Sequence, residues 1–125
     1  MTVLALKRVY EPPGAGDGTR ILVDRLWPRG IARDKARIDL WLKDIAPSDA
    51  LRKRFHGNPD EWAAFCAAYA AELKGAAGRA AVKDLLDRLR KGPVTLLYAA
   101  RDEQHNNAVA LRVLLKRHRK SGKTP

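Results

Sequence analysis

The chain has 125 residues, 46% of them apolar and 31% charged, which is room for one packed core and not two, in a globular rather than a disordered balance. Its formal net charge is +11, and Cys66 is the only cysteine, so an intramolecular disulfide and a cysteine-built metal cluster are both excluded. No window approaches the roughly 18 apolar residues a membrane span needs and no secretory leader is legible, so a cytoplasmic protein with no membrane partner is expected.

Residues 3–10 read as a first strand, and the Pro- and Gly-dense run Glu11-Pro-Pro-Gly-Ala-Gly-Asp-Gly after it as a surface loop. Residues 20–24 form a second strand, apolar almost without interruption, as a strand covered on both faces would be. Pro28 then ends it. From there to Gly92 the chain reads as mostly helical. Ile38, Trp41, Leu42 and Ile45 recur at i, i+3, i+4 and i+7, which predicts a short helix stopped by Pro47. Ser48 is placed to cap a second short helix through Phe55. Asn58 as N-cap, Pro59 at the first helical position and Glu61 reaching back open a third helix, with Trp62, Phe65, Cys66, Tyr69 and Leu73 on one face. A break is expected from Gly75 to Gly78. Val82, Leu85, Leu86 and Leu89 mark a fourth helix, which Gly92-Pro93 stops. A third strand, residues 94–99, follows directly. The last helix begins near Asn107 and buries Ala108, Leu111, Leu114 and Leu115.

This order predicts an α/β fold: a small, at least partly parallel sheet with helices packed against it, in a single domain. The long helical crossover makes the second and third predicted strands parallel, while the first could pair either way. Residues 1–115 are assigned to the domain and residues 116–125 to a basic C-terminal tail. Six bases and no acid lie from Arg112 onward, against 19 bases and 14 acids before it, so more than half of the net charge belongs to that end. Such a tail attracts nucleic acid nonspecifically, without a folded recognition surface.

Two predicted strands run into polar, arginine-bearing loops, and ligands of open α/β sheets bind outside the carboxyl ends of the strands. The first loop holds Arg25, Trp27 and Arg29 around a Trp-Pro turn. The second holds Arg101, Asp102, His105, Asn106 and Asn107 ahead of the last helix. A guanidinium grips carboxylate or phosphate through paired hydrogen bonds, and a helix N-terminus favours an anion. These eight residues are therefore the candidate binding set for a small anionic ligand bearing phosphate or carboxylate. For five of them there is a blander role. Arg25 could pair with Asp24 or Asp39 to fix the loop, Trp27 could be core, Asp102 or Asn106 could cap the helix, and His105 could be solvated. Asp24, Asp39, Asp102 and His105 are the groups available for acid or base chemistry, and none has a partner assigned by spacing. No nucleotide-binding glycine loop, zinc motif or hydrolase elbow occurs, so no cofactor and no metal is expected. Cys66, on an apolar stripe, reads as an inert core thiol.

The strings Lys7-Arg-Val-Tyr, Asp24-Arg-Leu-Trp-Pro-Arg-Gly, Ala46-Pro-Ser, Leu51-Arg-Lys-Arg-Phe-His-Gly and Val94-Thr-Leu-Leu-Tyr-Ala-Ala-Arg-Asp together resemble the YeaO-like family, a branch of domain of unknown function 488. The resemblance runs from about Leu6 to Leu115. It implies a compact cytosolic bacterial α/β protein and carries no established reaction. Two departures limit what transfers. Relatives often have Asn-His-Ala where this chain has Asn106-Asn107-Ala108, with its histidine displaced to His105. Longer relatives look as if they carry a Cys-His-Arg motif after their last strand, and this chain has no cysteine there, so thiolate catalysis is not implied.

The resulting expectation is an anion-binding α/β domain whose site lies between the 25–30 and 101–107 loops. A nucleic-acid-binding module using the basic surface and tail is the alternative.

Overall fold

A computed structural model describes residues 4–55 and 58–122. Four short strands, β1 (Leu4–Arg8), β2 (Thr19–Leu22), β3 (Leu40–Trp41) and β4 (Val94–Tyr98), pair in the order β1-β4-β2-β3. Every pairing is parallel, including that of β1, whose direction the sequence leaves open. All strand carboxyl ends therefore lie along one edge of the sheet. The helices are α1 (Arg33–Ala36), α2 (Asp49–Phe55), α3 (Trp62–Glu72), α4 (Ala76–Lys91) and α5 (Asn107–Gly122).

The largely apolar character of the two central strands is explained by burial on both sides. Ile21, Val23, Val94, Leu96 and Tyr98 point into the larger core, beneath Leu51, Phe55, Phe65, Tyr69, Leu85, Leu89, Leu111 and Leu115 of the helices. Leu22 and Leu97, one residue out of phase, point the other way. That second face is covered by loop residues and the edge strand: Trp27, Ile31 and Ile38 pack there with Trp41 of β3, the two indoles edge to face at 5.4 Å.

The segment expected to be a helix through Ile38, Trp41, Leu42 and Ile45 is instead strand β3 followed by a 3-10 turn, Lys43–Ile45. The 3.6-residue spacing misleads because the apolar residues serve both faces of the sheet. Leu40 and Leu42 join the larger core while Trp41, between them, joins the smaller one. Pairing with β2 supplies the backbone partners that a helix would have supplied internally.

Elsewhere the local signals hold with smaller changes. The Ser48 hydroxyl accepts from the Leu51 N–H at 3.2 Å and caps α2. The Asn58 side chain accepts from the Asp60 N–H at 3.1 Å, but it caps a 3-10 turn, Pro59–Glu61, that leads into α3. Glu61 does not complete a capping box; the Asn58 N–H donates to the Phe55 carbonyl instead. The chain breaks over residues 73–75 and resumes as helix at Ala76. Gly78 lies inside α4, where a Cβ would crowd the Leu73 backbone, so it permits a close approach rather than a turn. Helix α5 continues past Leu115, with helical backbone to Gly122. His56 and Val3, and residues 123–125 of the predicted tail, lie outside the described residues.

Arg20 fixes the opposite, amino-terminal edge of the sheet. Only 3% exposed, its guanidinium meets the Asp17 carboxylate and donates to the carbonyls of Ala36 and Arg37 at 3.0 and 3.1 Å. A buried cation is costly unless its donors are satisfied, and here they are. The 11–18 loop is thereby tied to the sheet rather than left loose, since Lys7 also reaches Asp17 at 3.1 Å.

Candidate functional site

Where β2 ends, the chain turns out of the sheet at Val23 and Asp24. The Asp24 carboxylate accepts from the Ala99 N–H at 2.9 Å and from the Asn107 side-chain amide at 3.1 Å, while its carbonyl accepts from the Trp41 indole at 2.7 Å. One aspartate thus joins the exits of β2 and β4 to the start of α5. Burial pushes its carboxyl above the ordinary range, opposed by those two hydrogen bonds and by the Arg52 charge. Arg25 follows, and its guanidinium donates to the carbonyls of Pro47 and Ala46 at 3.0 and 3.2 Å. It pairs with neither Asp24 nor Asp39: Asp39 sits at the other end of β2, accepting from the Arg20 N–H at 2.8 Å. Arg25 is a clip between this loop and the one before α2. Trp27 packs in the smaller core and donates to the Ile31 carbonyl at 2.8 Å, and Pro28 is buried beside it. Arg29 is exposed, with its carbonyl held by the Tyr10 hydroxyl at 3.1 Å.

Where β4 ends, Asp102 organises the second loop. Its carboxylate accepts from the Gln104 and His105 N–H groups at 2.9 and 3.0 Å, which hold it below the ordinary carboxylate range. The same carboxylate lies 3.1 Å from His105 Nδ1. The His105 ring stands edge-on to Trp62 at 5.2 Å. Asn106 is the helix cap: buried at 3% exposure, its side chain accepts from the Val109 N–H at 3.0 Å and donates to the Asp102 carbonyl at 2.8 Å. Asn107 faces back to β2, donating to the Val23 carbonyl at 2.9 Å as well as to Asp24. Arg101 is exposed at the lip.

The two loops enclose one crevice of about 760 Å³, and all eight residues expected from the sequence line it. They divide by role. Arg25, Trp27, Asp102, Asn106 and Asn107 spend hydrogen bonds on the walls, whereas the side chains of Arg29 and Arg101 make no hydrogen bond or ion pair among the described residues. The charge of the lining is predominantly positive, with Arg25, Arg29, Arg52, Lys53 and Arg101 facing Asp24 and Asp102. Arg52 and Lys53 were not anticipated. Leu51 and Phe55, four apart and both buried, turn α2 so that the intervening basic residues reach the rim, a signal legible only once the helix is known to border the site. Tyr10, Leu26, Phe55 and Phe65 complete an apolar wall that loop chemistry alone does not reveal.

No group of three or more His, Cys, Asp or Glu side chains among the described residues is gathered to hold a metal ion. Cys66 is half-buried in the core, and burial pushes its thiol up, away from the reactive thiolate.

The chain matches, over residues 3–124, the family model described as the inactive DUF488-N3 subclade. It is 49% identical over 105 residues to the uncharacterized protein YeaO of Escherichia coli, spanning 84% of this chain and 90% of that one. It is 40% identical over 114 residues to the uncharacterized proteins Mb3100c of Mycobacterium bovis and Rv3073c of Mycobacterium tuberculosis, spanning 91% of this chain and 94% of each of those. No solved structure matches it significantly.

Proposed function

The chain belongs to the YeaO-like branch of the DUF488 family, in the subclade described as inactive, and from that premise we propose that it binds a small anion without transforming it. The observation that carries this reading is the crevice at the carboxyl edge of a parallel sheet, where Arg29 and Arg101 project from two loops that Asp24 and Asn107 lock together. Binding at that edge is the general habit of such sheets. Two exposed guanidinium groups beside further basic residues would supply the charge-assisted hydrogen bonds that phosphate or carboxylate needs.

Of the four groups available for acid or base chemistry, three carboxylates are held by the fold and His105 faces one of them, Asp102, at 3.1 Å. Asp24 accepts from Ala99 and Asn107, Asp102 accepts from its own loop, and Asp39 lies at the far edge. The word "inactive" in the subclade description agrees with binding rather than turnover.

Titration of the protein with phosphate, sulfate and acetate tests the reading. A saturable affinity for at least one of them should weaken about tenfold or more in the Arg29→Ala, Arg101→Ala double variant, the scale of one lost charge-assisted bond. Raising the salt concentration should weaken it as well, because both guanidiniums are exposed. Absence of binding to all three anions, together with duplex DNA binding that vanishes in the same variant, would make nucleic acid the ligand instead.

A further inference from the structure

We propose that the crevice takes an amphiphilic anion, a carboxylate or phosphate monoester whose planar apolar body lies against Tyr10 and Leu26 while its charge faces Arg29 and Arg101. The proposal rests on the anion-binding reading and adds the class of ligand.

Among the described residues three large apolar side chains are exposed: Tyr10 at 45%, Leu26 at 57% and Val113 at 41%. Two of the three border this one crevice. A single exposed leucine or tyrosine needs no explanation, but two framing the same cationic mouth form a surface that water covers at a cost. Tyr10 is also held in place. The Arg8 guanidinium lies over its ring at 5.1 Å, and its hydroxyl donates to the Arg29 carbonyl at 3.1 Å. Arg8 is itself fixed, donating to the carbonyls of Ala99 and Ala100 at 3.0 Å each. The ring therefore joins β1, the Trp-Pro-Arg-Gly turn and the exit of β4, and little of its freedom remains to be lost on binding. Behind it Trp27, Phe55 and Phe65 extend the apolar wall.

Size points the same way. A crevice of about 760 Å³ falls in the range of sites that enclose a whole organic ligand, of roughly 300 to 1,000 Å³, and an inorganic ion would leave most of the wall wet. The lining asks for one end that is anionic and one that is flat and apolar.

The test compares paired probes by calorimetry on the full chain: 1-naphthyl phosphate against inorganic phosphate, and 1-naphthoate against acetate. The naphthyl member should bind about tenfold tighter or better in at least one pair, as expected for burying a ring-sized apolar area. The pair with the larger gain identifies the headgroup. Leu26→Ser, which removes no hydrogen bond, should erase most of the gain while leaving affinity for the bare anion within about twofold, and Tyr10→Ser, which also releases the Arg29 turn, should erase the gain as well. Val113→Ser, outside the crevice, should change nothing. A bare anion that binds with no naphthyl gain, or a gain that survives both crevice variants, overturns this inference and leaves the anion-binding reading standing. Failure of all four probes to bind overturns both.

Discussion

The Asn107 amide lies 3.1 Å from the Asp24 carboxylate and 2.9 Å from the Val23 carbonyl, so the first turn of α5 is fastened directly to the exit of β2. Eighty-odd residues separate the partners in sequence, yet this contact sets the distance between the two loops of the crevice. Asn107→Ala would leave the Val23 carbonyl and the half-buried Asp24 carboxylate each short of a donor. Stability should fall by about 1 to 3 kcal/mol, measured by urea denaturation. An unchanged midpoint would mean that the contact contributes nothing.

Asp24 also gives a signed dependence on pH. Burial raises its carboxyl above the ordinary value of 3.8, so its contribution to stability is fully present below that value and is lost as pH rises through the higher folded value. Asp24→Asn removes the titration. The stability of wild type minus that of the variant should therefore decline from pH 3.8 upward and level off once Asp24 is ionised. Asp17, lowered chiefly by the Gly14 N–H and further by Lys7 and Arg20, acts with the opposite sign, losing its contribution as pH falls below 3.8. It is present in both proteins and cancels in the difference. A flat difference would show that Asp24 does not titrate abnormally.

Arg25 and Arg29 lie in one turn and should behave differently. Arg25→Ala breaks two bonds to the Ala46 and Pro47 carbonyls and should cost about 1 to 2 kcal/mol, with Arg25→Lys a poor substitute because a single ammonium cannot span both. Arg29→Ala should leave stability within about 0.5 kcal/mol, its side chain being exposed. Only Arg29→Ala should weaken anion binding without altering the melting curve. Equal losses of stability in the two variants would contradict the division of roles.

Gly18 sits at φ +66°, where a Cβ would overlap the Pro93 carbonyl. That carbonyl accepts from the Thr19 N–H at 3.0 Å at the entrance to β2. Gly18→Ala should therefore destabilise by more than about 1 kcal/mol through both strain and displacement, whereas Gly16→Ala, with nothing near, should be close to neutral. Thermal unfolding of the two variants checks the contrast.

Much of this architecture was legible in the residues. Strands β2 and β4 announced themselves by continuous apolar runs, and Ser48, Asn58 and Gly92-Pro93 marked helix ends correctly to within a turn. The segment from Ile38 to Ile45 departs from the expected helix for a physical reason. A short edge strand between two cores and an amphipathic helix produce the same spacing over eight residues, and only the pairing with Ile21 and Leu22 decides between them. In the site, arginine-bearing loops after parallel strands gave the crevice its position and eight of its lining residues. The sequence could not divide those eight into walls and free cations, because that depends on which carbonyls happen to lie opposite. Arg25 found Ala46 and Pro47, whereas Arg29 found none. Tyr10 and the basic face of α2 escaped notice for the same reason, since they reach the crevice only through the order β1-β4-β2-β3 and the packing of α2.

The central claim is that an anion sits between Arg29 and Arg101, and a crystal structure determined with phosphate, sulfate and a simple carboxylate in the soak tests it most directly. Density for one of these anions should appear in the crevice, within hydrogen-bond reach of both guanidinium groups, and should be absent from Arg29→Ala, Arg101→Ala crystals. An empty crevice in crystals whose anions lie only on other surfaces of the molecule would contradict it.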